Sequence, residues 1–174
     1  MSRGFRFCPQ CSAPLASQDH DGVPRLACGA GCGFVHWNNP TPVVAAVVQH
    51  GDDLILARNV AWPGKFFALI TGFLEASDPS PEEAVVREVE EELGLQGRAP
   101  SFIGHYRFER MNQIIIAYHV VADGEIRLGA ELAEYIRVPP AQATYWPAAT
   151  GLALRDWLRT QGHDPQEIPL PGRR

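Results

Sequence analysis

The chain has 174 residues and a net charge of −5, which argues against a broad basic surface for nucleic acid or an anionic membrane. It has no apolar run near the roughly 18 residues of a membrane span, and its N-terminus lacks the charged-then-apolar pattern of a signal peptide. We therefore expect a cytoplasmic protein with reduced cysteines, and neither a membrane nor nucleic acid as a partner.

All four cysteines lie near the N-terminus, in the close pairs Cys8, Cys11 and Cys28, Cys32. Two such pairs can present four thiolates at the corners of a tetrahedron, the geometry of a structural Zn²⁺ site. Two disulfides or four unligated thiols are the alternatives. A reducing compartment weakens the first, and the pairing of all four weakens the second. The pattern predicts a zinc ribbon over residues 1–40, which would need its metal because so short a segment holds little core.

A second domain is predicted over residues 41–161. Residues 43–49 form a continuous apolar run, typical of a strand buried on both faces, and residues 54–58 return as the second strand of a hairpin. Residues 66–71 are a further short strand. Gly72 then opens the loop that leads into the next helix.

That helix carries far more acid than folding alone requires. Ser80 is the predicted N-cap, Pro81 the first helical residue, Glu83 the partner in a capping box, and Gly94 the end. The helix then has an acidic face, formed by Glu88, Glu91 and Glu92. Beside it is an apolar stripe, formed by Val85, Val86, Val89 and Leu93. Like charges at this spacing cost about 0.2–0.5 kcal/mol per pair, so the acidic face either binds a hard cation such as Mg²⁺ or Mn²⁺ or is simply solvated.

The remaining elements complete a mixed α/β pattern. Strands are predicted over residues 101–108, 113–121, 125–128 and 134–138, with a hairpin turn at Asp123-Gly124, and a closing helix over residues 148–160. Residues 162–174, with three prolines, are predicted to be an irregular C-terminal tail. Strands outnumber helices, and the helices fall mid-chain and at the end, which favours an α/β fold with a mixed sheet between helices.

The stretch from Arg87 to Leu95 reads Arg-Glu-Val-Glu-Glu-Glu-Leu-Gly-Leu. Together with Gly72 it resembles the signature of the Nudix hydrolases, Gly-x5-Glu-x7-Arg-Glu-U-x-Glu-Glu-x-Gly-U, where U is aliphatic. The first half departs from that pattern, because Asp78 replaces the first glutamate and lies one residue too far from Arg87. Since Ser80 and Glu83 already cap the helix, we expect Asp78 to be a minor structural residue, with Asp78→Ala costing less than about tenfold in turnover.

The resemblance implies a Nudix-like α/β/α sandwich with a mixed sheet. It further implies an enzyme that splits the pyrophosphate bond of nucleoside diphosphates joined to another group, with Mg²⁺ or Mn²⁺ as cofactor. The implied metal ligands are Glu88, Glu91, Glu92 and the backbone carbonyl of Gly72. Arg87 would orient these carboxylates, and Glu131, with Glu134 as the fallback, would supply a further catalytic carboxylate from a loop.

A zinc ribbon followed directly by such a domain is similar to the NADH pyrophosphatase branch. The Ser-Gln-Pro-Trp-Pro-Phe-Pro sequence of that branch is absent, since residues 105–111 read His-Tyr-Arg-Phe-Glu-Arg-Met. NADH, ADP-ribose, FAD or a related nucleotide are therefore all candidate substrates. Phe73 and Trp37 are candidates to stack on a base or nicotinamide ring, with core packing as the alternative for each, and a homodimer is compatible with the sequence. Two other functions stay open: a nucleotide-sensing regulator without catalysis, and a zinc-ribbon protein acting on capped RNA ends.

Overall fold

A computed structural model describes residues 4–62 and 64–170. The chain divides into two compact units, and the boundary along the sequence lies between Asn39 and Pro40. Each unit has its own β-sheet. In the part of the chain described, no helix is long and apolar enough to cross a membrane.

The first unit is a small antiparallel sheet with the strand order β1-β2-β3. Its strands are β1 (Leu15–His20), β2 (Val23–Cys28) and β3 (Val35–His36). Among its described residues, the buried apolar side chains are Cys8, Ala27 and Cys28. Two of these three are cysteines, so little of this unit's stability can come from apolar burial.

The second unit is built on a six-stranded mixed sheet with the order β7-β8-β4-β5-β9, in which β6 also pairs with β4. Its elements are β4 (Thr41–His50), β5 (Asp53–Asn59), β6 (Ile70–Phe73), α1 (Pro81–Leu93), β7 (Gln96–Phe108), β8 (Gln113–Asp123), β9 (Leu132–Val138) and α2 (Ala149–Thr160). The β4–β8 pair is parallel, and the other pairs are antiparallel.

The central strand β4 is buried on both faces because a helix covers each side of the sheet. Val44, Ala46 and Val48 pack in one core with residues of α1, whereas Val43, Ala45 and Val47 pack in a second core with residues of α2. A fully buried valine or leucine contributes about 1.5–3 kcal/mol, so these two cores account for much of the stability of the domain. The predicted α/β/α sandwich with a mixed sheet is confirmed.

The strand predicted over residues 66–71 is displaced. The observed strand β6 begins at Ile70 and pairs with β4, and upstream only Ala68 forms an isolated bridge, to Ala57 of β5. The chain passes from β5 to β4 between Ala68 and Ile70, so its pairing with neither strand is continuous. Phe66 and Phe67 instead pack against the core on the α2 side. Pro63, part of the loop before this segment, lies outside the described residues.

The strand and hairpin predicted at residues 123–128 are wrong. Both edges of β8 are already occupied, by β7 and by β4, so β8 has no edge for a returning strand. Residues 125–128 instead run past the C-terminus of α1, where the N–H of Arg127 donates to the carbonyl of Leu93 at 2.8 Å. Helix C-termini leave four carbonyls without helical partners, and this segment supplies donors to them.

Two further segments differ from their predicted extent. Strand β7 begins at Gln96, five residues earlier than predicted, and it tolerates Pro100 because β7 is an edge strand with a register shift between Arg98 and Ser101. The described part of the tail is irregular apart from an isolated bridge between Tyr145 and Glu167. Residues 171–174 lie outside the described part of the chain.

Candidate active site

Helix α1 has the ends and the buried face that its sequence predicts. The Ser80 side chain accepts a hydrogen bond from the N–H of Glu83 at 3.2 Å, and Gly94 closes the helix in the left-handed region at φ 67°. The buried residues of α1 are Ala84, Val85, Val89 and Leu93. Val86, predicted to be part of the stripe, is only half-buried. With this stripe in the core, the acidic face is left to line a pocket.

Arg87 is the centre of a hydrogen-bonded network on that face. Its Nη1 lies 2.8 Å from Oε1 of Glu88 and 3.1 Å from Oε2 of Glu91, and its Nη2 donates to the carbonyl of Phe73 at 3.2 Å. The guanidinium therefore contacts two carboxylates of the helix and the end of β6 at once. These contacts agree with the orienting part that the family resemblance implies for Arg87, and that part stays a prediction.

Asp78 is the principal partner of Arg87. Its two carboxylate oxygens accept from Nε and Nη2 of Arg87, each at 3.1 Å, and its Oδ2 also accepts from the N–H of Glu75 at 2.8 Å. The Arg87 guanidinium holds the pKa of Asp78 below its ordinary value. The additional residue between Asp78 and Arg87 therefore does not break this ion pair. Asp78 joins the loop after β6 to Arg87 of α1, a larger structural role than the sequence indicates.

Gly72 allows β6 to approach α1 at the carboxylate of Glu88. A Cβ atom at position 72 would lie 1.8 Å from Cδ of Glu88 and 1.9 Å from its Oε1, far inside any contact distance. The Glu88 side chain is only 12% exposed, and its burial raises its pKa. Gly72 and Glu88 are thus brought together, and a metal site shared between them stays a prediction.

Glu92 and Glu131 line the same pocket. Burial raises the pKa of Glu92 to about 8, with smaller contributions from the charges of Glu88, Glu131 and Glu91. Glu92 therefore lies in a partly desolvated space whose lining includes four other glutamates, the environment in which a bound cation is favoured. The lining comprises Val43, Thr71, Gly72, Phe73, Glu75, Arg87, Glu88, Glu91, Glu92, Gln113, Gly129, Ala130 and Glu131.

The donor atoms of this pocket fit a hard divalent cation. They are carboxylate oxygens and a backbone carbonyl, the ligands that Mg²⁺ and Mn²⁺ prefer. The acidic groups are nevertheless spread out. Within residues 4–62 and 64–170, the only group of three or more candidate metal ligands with all donor atoms within 4.8 Å of one another is the cysteine cluster. Holding one ion would require these carboxylates to approach one another more closely.

Cys8, Cys11, Cys28 and Cys32 form that convergent cluster in the first unit. Their Sγ atoms lie 3.5 Å apart for Cys8 and Cys32 and 3.4 Å apart for Cys11 and Cys28. Zn–S bonds of about 2.3 Å place the sulfurs of a tetrahedral site about 3.8 Å apart, close to these distances and far from the ~2.05 Å of a disulfide. The arrangement is consistent with a small zinc ribbon.

Of the two predicted stacking residues, Phe73 lies in the pocket wall with its side chain 57% exposed, so it is not a core residue. Trp37 belongs to the first unit, where it is half exposed and has the guanidinium of Arg25 5.3 Å from its ring centroid. Its part in substrate binding stays a prediction. Glu134, the fallback for Glu131, is instead paired with Arg58 across β5 and β9 at 2.7 Å.

Six residues of the pocket lining were not predicted as site residues, namely Val43, Thr71, Glu75, Gln113, Gly129 and Ala130. Glu75 follows Phe73 closely, so its place after β6 could have suggested it. Gln113 begins β8, and its position depends on the pairing of that strand with Thr41 of β4, which is not visible in a local pattern. Gly129 belongs to the segment that was predicted to follow a strand in the sheet.

A family model described as the NUDIX domain matches residues 39–160. The chain is 31% identical over 126 residues to the NAD-capped RNA hydrolase NudC of Pseudomonas aeruginosa (strain LESB58), an alignment that covers 72% of this chain and 44% of the relative. It is 30% identical over 163 residues to the protein of the same name from Mycobacterium tuberculosis (strain ATCC 25177 / H37Ra), covering 87% and 49%. The chain therefore spans less than half the length of these curated relatives.

The fold also matches a solved structure. The crystal structure of a NUDIX hydrolase from Nitrosomonas europaea superposes with a TM-score of 0.73 at 19% sequence identity, covering 95% of this chain and all of the other. At this identity, the likeness concerns the fold alone.

Proposed function

Because the chain belongs to the Nudix family, we propose that it hydrolyses the pyrophosphate bond of a nucleoside diphosphate derivative in a reaction that depends on Mg²⁺ or Mn²⁺. The observation that carries this proposal is one pocket lined by Glu88, Glu91 and Glu92 from α1 and by Glu131 from a loop. Four carboxylates in one pocket have a strong electrostatic reason to hold divalent cations.

Each residue has a distinct part in the proposed reaction. Divalent ions held by the helix glutamates and the Gly72 carbonyl would neutralise the pyrophosphate and lower the pKa of the attacking water. Arg87 holds the carboxylates of Glu88 and Glu91 in place through its Nη1 hydrogen bonds. Glu131 would accept the proton of the water as the water oxygen bonds to phosphorus and the bridging P–O bond breaks, so that the second phosphate leaves with the bridging oxygen.

The organic part of the substrate is expected to lie beside Phe73. An exposed aromatic ring in the wall of an otherwise polar pocket suits stacking on a base or nicotinamide ring. NADH, ADP-ribose and FAD all combine such a ring with a pyrophosphate. Trp37 is a second candidate for stacking. The complete set of carboxylates favours catalysis over a regulator that only binds nucleotide.

RNA that carries a nucleotide cap is the second candidate substrate. The relatives from P. aeruginosa and M. tuberculosis are both named NAD-capped RNA hydrolases, and this makes the expectation against nucleic acid doubtful. The bond cleaved would be the same pyrophosphate, with the RNA chain attached to one of its nucleotides. The acidic net charge predicts that such an RNA would be held mainly at its cap.

The cysteine cluster is proposed to bind one structural Zn²⁺. Support comes from the spacing of the four sulfurs and from the scarcity of buried apolar residues among those described in the first unit. Without metal, these residues would have little to hold them folded.

The test is hydrolysis of a substrate panel in Mg²⁺ by the wild type and by matched glutamate variants. The panel contains NADH, NAD⁺, ADP-ribose, FAD, nucleoside triphosphates and NAD-capped RNA. Glu91→Gln and Glu92→Gln should each lower turnover by about 10²-fold or more, because each removes a charge that acts on the transition state. Glu90→Gln is the control, since Glu90 is exposed and is not among the pocket residues.

Cleavage at the pyrophosphate by the wild type and by Glu90→Gln, but not by the other two variants, supports the proposal. A wild type that forms no product from any member of the panel contradicts it. Turnover by both Glu91→Gln and Glu92→Gln within about threefold of the wild type at saturating Mg²⁺ contradicts the assigned site.

A further inference from the structure

The loop that carries Glu131 is attached to the C-terminus of α1 at Gly129, and we infer that Gly129 is the positioning residue that sets Glu131 against Glu92. The inference rests on the proposed function, because it assigns Glu131 its catalytic part. It adds a residue outside the Nudix signature, directly after the segment 125–128 that was predicted to be a strand.

Gly129 meets the helix through its backbone. Its N–H donates to the carbonyl of Glu92 at 2.9 Å, and this carbonyl is one of the four at the helix end that have no helical partner. The residue that supplies a predicted metal ligand is therefore also the residue to which the loop is attached. Two positions further along the loop is Glu131.

Only glycine allows this approach. A Cβ atom at position 129 would lie 2.6 Å from the backbone carbonyl oxygen of Glu91 and 3.4 Å from Cα of Glu92. The first contact is with backbone in the last turn of α1, so neither side can yield cheaply. The φ of Gly129 lies outside the left-handed region, so its conformation would admit other residues, and it is space alone that excludes them.

Glu131 is held from its other side as well. Its carbonyl accepts from the N–H of Val60 at 2.8 Å, just after β5, and the N–H of Leu132 donates to the carbonyl of Gly129 at 3.1 Å. The loop thus makes a tight turn between two fixed points, one on α1 and one beyond β5. Moving the Gly129 end away from the helix should displace Glu131 relative to Glu92, while Leu128 and Leu132 on either side of the turn stay packed against the core on the α1 side.

The first test is a double-mutant cycle with the full chain. Gly129→Ala should lower kcat by about tenfold or more with a small change in KM, since the displaced group acts on the transition state. In the Glu131→Gln background the same substitution should cost less than about threefold, because the group that it displaces is already removed. Gly104→Ala is the control, since its Cβ would meet only the side-chain end of Tyr106, at 3.1 Å, in β7.

A second variant and a second readout cover the case in which Gly129→Ala does not fold. Val60→Pro removes the N–H donor at the other end of the loop and should show the same loss and the same non-additivity. Amide hydrogen exchange in metal-free protein should be at least about tenfold faster at Val60 in Gly129→Ala than in the wild type or Gly104→Ala, with core amides unchanged.

These readouts separate the two proposals. A wild type that is inactive on every substrate contradicts the proposed function, and the exchange rate at Val60 still tests whether Gly129 holds the loop. Losses that multiply in the double variants, or an unchanged exchange rate at Val60 in folded Gly129→Ala, would overturn the inference.

Discussion

Asp78 accepts two hydrogen bonds from the guanidinium of Arg87, one from Nε and one from Nη2, both at 3.1 Å. With Nε and Nη2 engaged by this bidentate contact, Nη1 is directed at Glu88 and Glu91. Asp78 also accepts from the N–H of Glu75, so one carboxylate joins the loop after β6 to α1. The side chain is only 8% exposed, although it belongs to a surface loop.

Asp78→Ala is accordingly expected to lower turnover by about tenfold or more, because Arg87 would lose the contact that fixes its plane. The sequence alone predicts a smaller loss. Asp78→Glu, which restores the residue type of the family signature, should retain more activity than Asp78→Asn, which lacks the charge. Turnover at saturating Mg²⁺ and thermal unfolding should be measured together for all three. A loss below about tenfold for a folded Asp78→Ala would return Asp78 to the minor part that the sequence predicts.

The second prediction concerns the pH dependence of stability in metal-free protein. The pKa of Glu92 is raised from its ordinary 4.5 to about 8, mainly by burial. Below pH 4.5 the group is protonated in both the folded and the unfolded chain, and its contribution to stability is fully present. As pH rises from 4.5 towards 8, Glu92 ionises in the unfolded chain but stays largely protonated in the folded chain. The free energy of unfolding therefore falls across this window and levels off above it.

Glu92→Gln removes this titration, so the variant should match the wild type near pH 4 and exceed it increasingly up to about pH 8. One pKa unit corresponds to about 1.4 kcal/mol, and we expect a gain of at least about 1 kcal/mol in the free energy of unfolding at pH 9. Chemical denaturation in EDTA at several pH values measures it, with Glu90→Gln as the control. Saturating Mg²⁺ should reverse the order, because the wild type then gains a bound ion. A difference that does not vary with pH would contradict the raised pKa.

The third prediction concerns the metal content of the first unit. Protein purified without added metal should contain about one equivalent of zinc per chain by elemental analysis, because four sulfurs already lie at near-tetrahedral spacing. A zinc chelator should speed amide exchange in residues 4–39 before it alters Mg²⁺-dependent turnover. Cys28→Ser should lower the zinc content well below one equivalent per chain, because it removes one of the four sulfur ligands. Disulfides in place of zinc in freshly purified protein would contradict the assignment.

The sequence predicted best those features that depend on neighbours along the chain. The cap at Ser80, the stop at Gly94 and the buried valines of α1 follow from local hydrogen bonding and helical periodicity. Strand β4 was visible because burial on both faces leaves an unbroken apolar run. The same reasoning failed at residues 125–128, where a turn signal suggested a hairpin, but strand order had already filled both edges of β8.

The site was predicted to a similar limit. Glu88, Glu91 and Glu92 could be grouped by helical spacing, and the family pattern pointed to Gly72 and Glu131, which the structure brings into the same pocket. The contact of Gly129 with α1 depends on how two distant segments meet in space. Sequence periodicity cannot show that a Cβ atom at position 129 would lie 2.6 Å from the carbonyl oxygen of Glu91. The bidentate contact of Asp78 with Arg87, which forms despite the additional residue between them, could not be predicted for the same reason.

The last prediction concerns the approach of β6 to α1 at Gly72. Gly72→Ala would place a methyl group within 2.2 Å of three atoms of the Glu88 carboxylate, which Arg87 holds and which is largely buried. Glu88 must then move or β6 must shift, and either change separates the Gly72 carbonyl from the ligands on α1. We expect turnover to fall by about 10²-fold or more and the affinity for Mn²⁺, measured by titration calorimetry, to weaken by at least about tenfold. Gly104→Ala, which adds the same methyl group to β7 outside the pocket, 3.1 Å from the hydroxyl of Tyr106, should change neither quantity by more than about twofold. Wild-type Mn²⁺ affinity in a folded Gly72→Ala variant would show that the close approach of this glycine serves packing and that the cation lies elsewhere in the pocket.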